Sequence, residues 1–179
     1  MVSFPFHAAV APASRLKLVL AAASVSILAA CAGYSPPVKN GQTADEVTQS
    51  MGRPTARYPA PGGGERIEYA RGPAGKQTYM IDMDASGHVT GWTQVLTEPN
   101  FESLKIGTLQ QDVLFKLGRP SSRMRVRFKD SDVWSYRYES MGYCRWFQVS
   151  IGGTGKVVDT GYGPDPECDP GGREPQEPR

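Results

Sequence analysis

The chain has 179 residues, of which 39% are hydrophobic and 21% charged, enough for one domain or two small ones. Its 20 Lys and Arg stand against 18 Asp and Glu. A formal net charge of +2 excludes the global basic field that carries nucleic-acid binding. Removing residues 1–30 takes away Arg15 and Lys17 and no acid, which brings that charge to zero. No nucleic-acid partner is expected.

The first thirty residues have the layout of an export signal. Arg15 and Lys17 supply positive charge, no acidic residue precedes Asp45, and Leu18 to Ala30 is uncharged and rich in Leu, Val, Ile and Ala. This run of about thirteen residues is too short for a hydrocarbon core that needs about twenty helical residues. It reads as a signal core. It ends in Leu28-Ala29-Ala30-Cys31, which resembles the bacterial lipobox. The resemblance implies a cut before Cys31 and lipid attached to its thiol, so residues 1–30 read as a lipoprotein signal peptide. One acyl chain holds a membrane only marginally, and stable anchoring takes more than one. Ala32 stands where an aspartate would mark inner-membrane retention. The expected address is therefore the periplasmic face of the outer membrane, and residues 31–40 read as a linker.

Two stretches then repeat. Gly41-Gln42-Thr43-Ala44-Asp45-Glu46-Val47 leads to Met51-Gly52-Arg53-Pro54, and Gly107-Thr108-Leu109-Gln110-Gln111-Asp112-Val113 leads to Leu117-Gly118-Arg119-Pro120. Further on, Ile67-Glu68-Tyr69 corresponds to Trp134-Ser135-Tyr136, Tyr79-Met80 to Trp146-Phe147, and His88-Val89 to Lys156-Val157. Self-similarity in constant order is the mark of a repeated unit. Each copy opens with a short helix. Thr43 with Glu46, and Thr108 with Gln111, have capping-box spacing. Val47 with Met51, and Val113 with Leu117, form one apolar stripe each. Gly52 and Gly118 suit a left-handed helix end, and Pro54 and Pro120 stop the helix. Phe101 to Ile106 supplies a further helical turn in the second copy.

Strand patterns follow each helix: residues 66–70, 77–84 and 88–96 in the first copy, and 133–138, 144–151 and 156–162 in the second. An alternating run through Met124, Val126 and Phe128 extends the second sheet. Helices followed by strands, with no βαβ alternation, predict an α+β fold of two tandem units. Each unit has short helices followed by a three-stranded antiparallel meander, over residues 41–98 and 99–163. Residues 164–179 are rich in Pro, Gly, Asp and Glu, and read as a mostly disordered tail. The Gly62-Gly63-Gly64 run reads as a flexible loop.

A Gly-x-Thr…Glu-Val…Gly-x-Pro helix and a three-stranded meander in an exported lipoprotein resemble the BamE-like (SmpA/OmlA) family. The matching residues are Gly41, Thr43, Val47, Gly52 and Pro54, then Gly107, Val113, Gly118 and Pro120, with Tyr69 and Trp134-Tyr136 at the aromatic position of the first strand. The resemblance implies a small outer-membrane lipoprotein that helps a larger machine fold β-barrel proteins. The chain departs from the family in carrying two units. Tandem units also occur in secreted β-lactamase inhibitory proteins, so a protein-binding or inhibitory module is the alternative. The architecture supports binding without carrying over a partner.

Besides Cys31 there are only Cys144 and Cys168, and export favours one disulfide between them. That bridge closes a loop of about 25 residues, worth about 3.5 kcal/mol on the chain-entropy model. A reactive thiol would need a base, and His88 is the only histidine after residue 30. Arg123, Arg125 and Arg127 would share one face of a strand. They could grip lipid phosphates or an acidic partner, or simply guard a solvated edge. Asp82, Asp84 and His88 flank a turn, and turn chemistry explains them without a metal. Of Tyr69, Tyr79, Trp92, Trp134, Tyr136 and Trp146, one or two are expected at the surface. No catalytic arrangement, cofactor site or metal-ligand spacing emerges. A non-enzymatic accessory or scaffold protein of the envelope is the expectation.

Overall fold

The computed structural model describes residues 35–71 and 75–166. The signal segment, Cys31 and Cys168 lie outside those residues. Among the described residues, three α-helices and eight strands occur in the order α1 (Ala44–Met51), β1 (Ala56–Pro59), β2 (Glu65–Ala70), β3 (Thr78–Met83), β4 (Val89–Gln94), α2 (Glu98–Glu102), α3 (Gln110–Leu117), β5 (Ser122–Val126), β6 (Ser131–Ser140), β7 (Tyr143–Gly152) and β8 (Val157–Pro164). The fold is α+β, with two four-stranded antiparallel sheets ordered β1-β2-β3-β4 and β5-β6-β7-β8.

The three-stranded meanders are corrected to four strands each. The added strand in the first sheet, Ala56–Pro59, is short and ends in proline, so it carries no alternating signal of its own. It exists because β2 offers its edge, with Ala56 opposite Glu68 and Pro59 opposite Glu65. An edge strand tolerates the proline. Gly62-Gly63 is not a loose loop either, since Pro61–Gly63 form a 3-10 turn.

Corresponding hydrogen bonds recur in the two halves. Gly41 N–H donates to Val89 O and Val89 N–H to Gln42 O; Gly107 N–H donates to Val157 O and Val157 N–H to Thr108 O, all at 2.8 Å. These bonds set where each helix begins. Thr43 caps α1 with both arms of the box, its Oγ1 accepting from Glu46 N–H and its own N–H donating to the Glu46 carboxylate. In the second half Leu109 occupies the cap position and supplies no side-chain bond. The predicted Thr108–Gln111 box does not form, because Thr108 is one residue early and its Oγ1 accepts from Lys105 N–H. The leading turn also starts earlier than expected, at Glu98, with Pro99 in its first turn.

Strand register corrects one sequence equivalence. Tyr69 lies opposite Tyr79 and Tyr136 opposite Phe147, so Phe147, not Trp146, matches Tyr79. With a side-chain period of two, the one-residue difference decides which ring faces the core. Tyr79 and Phe147 are buried, and Trp146 is only partly so.

The apolar residues form two clusters. Val38, Val47, Ile67, Tyr69, Tyr79, Ile81, Met83 and Val89 fill the first, beneath α1. Val38 thus belongs to a core although sequence places it in a linker. The second cluster joins Phe101, Leu104, Val113 and Leu117 to the inward face of the second sheet. Met80, from the first sheet, belongs to this second cluster, and Tyr58 packs against it. The first sheet is therefore covered on both faces.

Gly52 and Gly118 end α1 and α3 with φ 84°, ψ −166° and φ 79°, ψ −165°. This is not the left-handed helical cap expected, but an extended positive-φ region that is almost glycine's alone. A Cβ on Gly52 meets nothing within 4 Å, whereas one on Gly118 lies 2.8 Å from Glu68 Cδ. Gly52→Ala is expected to cost about 1–3 kcal/mol from backbone strain. Gly118→Ala should cost about 1–3 kcal/mol more, because a packed side chain must move. Equal losses in denaturant titrations of the two variants would refute this asymmetry.

Candidate functional site

The two halves meet where β1 and β2 face the end of α3. Glu68, fully buried on β2, points away from the first core because its neighbours Ile67 and Tyr69 point into it. Its carboxylate accepts Tyr58 Oη–H at 2.5 Å and Arg119 N–H at 3.2 Å to each oxygen. Burial raises its pKa above the ordinary 4.5, against the lowering effects of the Tyr58 bond, the Arg119 N–H and the Arg119 charge. Burial also pushes the Tyr58 hydroxyl far upward, as does its bond to the Glu68 carboxylate. Arg66 completes the joint. It pairs with both Asp82 oxygens at 2.6 and 3.0 Å, donates to Phe115 O at 3.2 Å and lies 4.5 Å over the Phe115 ring.

Beside this joint runs an open groove of about 670 Å³. Tyr58, Pro59 and Pro61 form one wall, Leu104 and Phe115 the other, and Asp112 and Lys116 stand at its polar positions. The Tyr58 and Phe115 rings meet edge to face at 6.4 Å. Ser103 also lines the groove, and its Oγ accepts from Lys116 Nζ at 2.6 Å.

The predicted arginine stripe is broken up. Arg123 and Arg125 lie on β5, but Arg127 opens the 3-10 turn Arg127–Lys129 and leaves the strand face. Arg123 stacks 4.2 Å from the Trp134 ring, and Arg125 is held by Asp130 and Asp132. The strand ends at Val126, where the Arg127–Lys129 turn begins, and Asp130 closes that turn with a positive φ of 44°. Two of the three guanidinium groups are thus engaged within the chain, which is the arrangement of a guarded edge.

At the turn after β3, the Asp84 carboxylate accepts Ser86 N–H, Ser86 Oγ–H and His88 N–H, and these bonds lower its pKa, the His88 N–H most. Asp82 is taken by Arg66. Among the described residues no group of three His, Cys, Asp or Glu could hold a metal. Of the six aromatics considered, Tyr69, Tyr79, Trp134 and Tyr136 are core, while Trp92 reaches the surface.

One important residue pair was invisible to sequence reasoning. Asp165, assigned to the loose tail, is 1% exposed and forms a two-pronged ion pair with buried Arg137 on β6. Pro164 likewise belongs to β8. The available signal was an arginine set among the aromatics Trp134, Tyr136 and Tyr138, which if buried needs an anion. Cys144, opposite Glu139 on the same hairpin, is disulfide-bonded.

No family model and no curated protein matches the chain. Among solved structures, part of the chain is similar to the osmotically inducible lipoprotein OsmE: 30% identity over 46% of this chain and 90% of that one, with a TM-score of 0.35. A DUF4309 family protein, YjgB, from Bacillus subtilis is 16% identical over 69% of this chain and 79% of its own, at a TM-score of 0.27. A protein described as a β-lactamase inhibitor from Streptococcus mutans is 13% identical over 68% and 82%, at 0.26. None of these three likenesses reaches a TM-score of 0.5, so none by itself assigns a function. Among the described residues no helix is long and apolar enough to cross a membrane.

Two outcomes test this geometry. Because the fold raises the Glu68 pKa, the stability it favours is present below the unfolded value and is lost as pH rises through the folded one. The melting temperature of the unaltered chain minus that of Glu68→Gln should therefore fall as pH rises from 4.5 toward neutrality. A difference that rose with pH would show that the bonds to the carboxylate outweigh its burial. Asp165→Ala should cost about 3–5 kcal/mol in denaturant titration, as expected for one half of a buried ion pair. A loss under about 1 kcal/mol would place Asp165 in a loose tail after all.

Proposed function

We propose that this chain is a lipid-anchored, non-enzymatic binding protein of the cell envelope, built as two BamE-like units in tandem. The observation that carries this reading is the recurrence of one local design. Gly41 and Gly107 pair with the last strand of their sheets, a helix follows, and Gly-Arg-Pro ends it with nearly identical glycine dihedrals. The lipobox-like Leu28-Ala29-Ala30-Cys31 supplies the anchor, and Ala32 favours the outer membrane over the inner. Held on the periplasmic face, the chain would act as an accessory or scaffold subunit in outer-membrane protein assembly or envelope integrity. Its groove and loops would be offered to a protein partner, the barrel-assembly machinery being the first candidate. Cys144 and Cys168 are taken to form its disulfide.

The inhibitory alternative asks for a sheet face lined by exposed aromatics. The outward face of the second sheet instead carries Ser135 opposite Gln148 and Arg137 opposite Trp146, with Ser135 and Arg137 buried. That favours the scaffold reading.

Mass spectrometry of the protein purified from membranes of its host tests the covalent part. The expected mass is that of a chain beginning at triacylated Cys31 and lighter by two hydrogens for the Cys144–Cys168 bridge. An unacylated chain, or one retaining residues 1–30, would remove the anchor. Pull-down from mildly solubilised membranes tests the role. Recovery of barrel-assembly subunits supports it, and their absence removes its main support.

A further inference from the structure

The segment that follows α1 returns after α3 almost unchanged, Gly52-Arg53-Pro54-Thr55-Ala56-Arg57 as Gly118-Arg119-Pro120-Ser121-Ser122-Arg123. The last arginines of the two segments have different fates. Arg57 is taken by Glu65 at 2.5 Å. The acid in the matching register of the second sheet is Asp132, which lies opposite Arg125 as Glu65 lies opposite Pro59. Arg125 holds Asp132 at 3.2 Å, and Arg123 stacks on Trp134 instead. One arginine in place of a proline thus leaves another without an acid. Among the described residues neither Arg119 nor Arg123 is paired with a carboxylate.

Arg119 and Arg123 line one cleft of about 530 Å³ together with Ser121, Ser122 and the already paired Arg57. None of the described residues that line it is acidic. Burial and the Glu68 carboxylate push the Tyr58 hydroxyl up, while the Arg119 and Arg123 charges both pull it back, so both reach the same side chain. Each arginine is also held in place. Arg119 N–H is bound to the Glu68 carboxylate, and the proline after it restricts its backbone. Arg123 lies 4.2 Å from the Trp134 ring, which occupies the face of its guanidinium and leaves the N–H edge to bond. Ser121 Oγ accepts from Arg137 N–H at 3.2 Å, so its own proton remains to be donated. Glu68 feels the Arg119 charge, but it is fully buried and does not line the cleft.

We propose that this cleft binds a phosphomonoester, its terminal phosphate held by the Arg119 and Arg123 guanidinium groups with the Ser121 and Ser122 hydroxyls donating to its oxygens. The lining is rich in donors, and two cations stand in it without an acid, so the occupant is an anion with several strong acceptor oxygens. A phosphomonoester carries a charge of about −1.5 to −2 at neutral pH, which two guanidinium groups match. A carboxylate or a phosphodiester brings a single charge and gains from only one of them. The same terminal phosphate occurs on free small molecules and on lipid headgroups of the phosphatidic acid type. The site goes beyond the protein-binding role proposed above and depends on neither the membrane anchor nor a protein partner.

The test is calorimetric titration of the full chain, isolated from its host in dodecyl maltoside micelles, with methyl phosphate as the probe. The expected result is saturable one-to-one binding, weakened about tenfold or more by Arg119→Gln and by Arg123→Gln. Arg53→Gln, at the same place in the first segment, should leave binding unchanged. Arg119→Gln should keep the melting temperature within about 3 °C, because that side chain is exposed and unpaired, so its loss of binding reads the site and not the fold. Dimethyl phosphate, with one charge, should bind about tenfold or more weakly than methyl phosphate. Dihexanoyl phosphatidic acid distinguishes the sources. Binding tighter than methyl phosphate by about tenfold or more, and lost in Arg119→Gln, places the phosphate on a lipid; binding no tighter than that places it on a free molecule. The proposal is overturned if neither monoester binds saturably, if binding is indifferent to Arg119→Gln, or if dimethyl phosphate binds equally well. A glutamate octapeptide that binds more tightly than methyl phosphate, and loses that binding in Arg119→Gln, would make an acidic peptide the occupant and overturn it too.

Discussion

Glu68 is the residue around which the two halves of this protein are fitted together. A carboxylate in a dry site is costly unless its oxygens are met by donors. Here they come from both sides, Tyr58 Oη–H from β1 and Arg119 N–H from beyond α3. The second set of donors is available only because α3 ends at Gly118, whose missing Cβ leaves room for Glu68 Cδ. Tyr136 then closes the far side by donating to Gly118 O at 3.1 Å. One buried acid thus ties together β1, β2, the end of α3 and β6.

This constraint also separates two halves that look alike in sequence. Gly52 and Gly118 share a backbone conformation, yet only the second has a side chain packed where its Cβ would be. The first sheet contributes Ile67, Tyr69, Tyr79 and Ile81 to one core and Met80 to the other. The second sheet has only one apolar face, and its outward polar residues are secured instead by Gln148 bonding Ser135 and by Asp165 pairing with Arg137. The two halves are therefore unequal: the first sheet sends apolar side chains into both clusters.

The open surfaces combine apolar walls with a few polar groups. The groove between β1 and α3 is walled by tyrosine, phenylalanine and proline, and the hairpin tip exposes methionine and tyrosine. In the basic segment around β5, Arg123 lies on Trp134 and Arg125 between two aspartates. Binding specificity in such a protein comes from shape and a few anchors, which is how interfaces concentrate their energy.

Much of the local structure was legible in the residues themselves. The Thr43–Glu46 cap, the stop at Gly-Arg-Pro, and most of the strands followed from spacing, because caps, glycine dihedrals and period-two alternation act over a few residues. The likeness of Gly107–Pro120 to Gly41–Pro54 is matched locally by the two glycine dihedrals and by the hydrogen bonds before each helix. Tertiary structure alone decided the rest. It made a strand of Ala56–Pro59 by supplying an edge to pair with, and left α3 without the Thr108 cap by bonding Thr108 Oγ1 to Lys105 N–H. It also buried Glu68 and Asp165, two charges whose donors lie 51 and 28 residues away. Sequence patterns report what a residue prefers nearby; whether a charged side chain can be buried depends on groups that reach it only when the chain has folded.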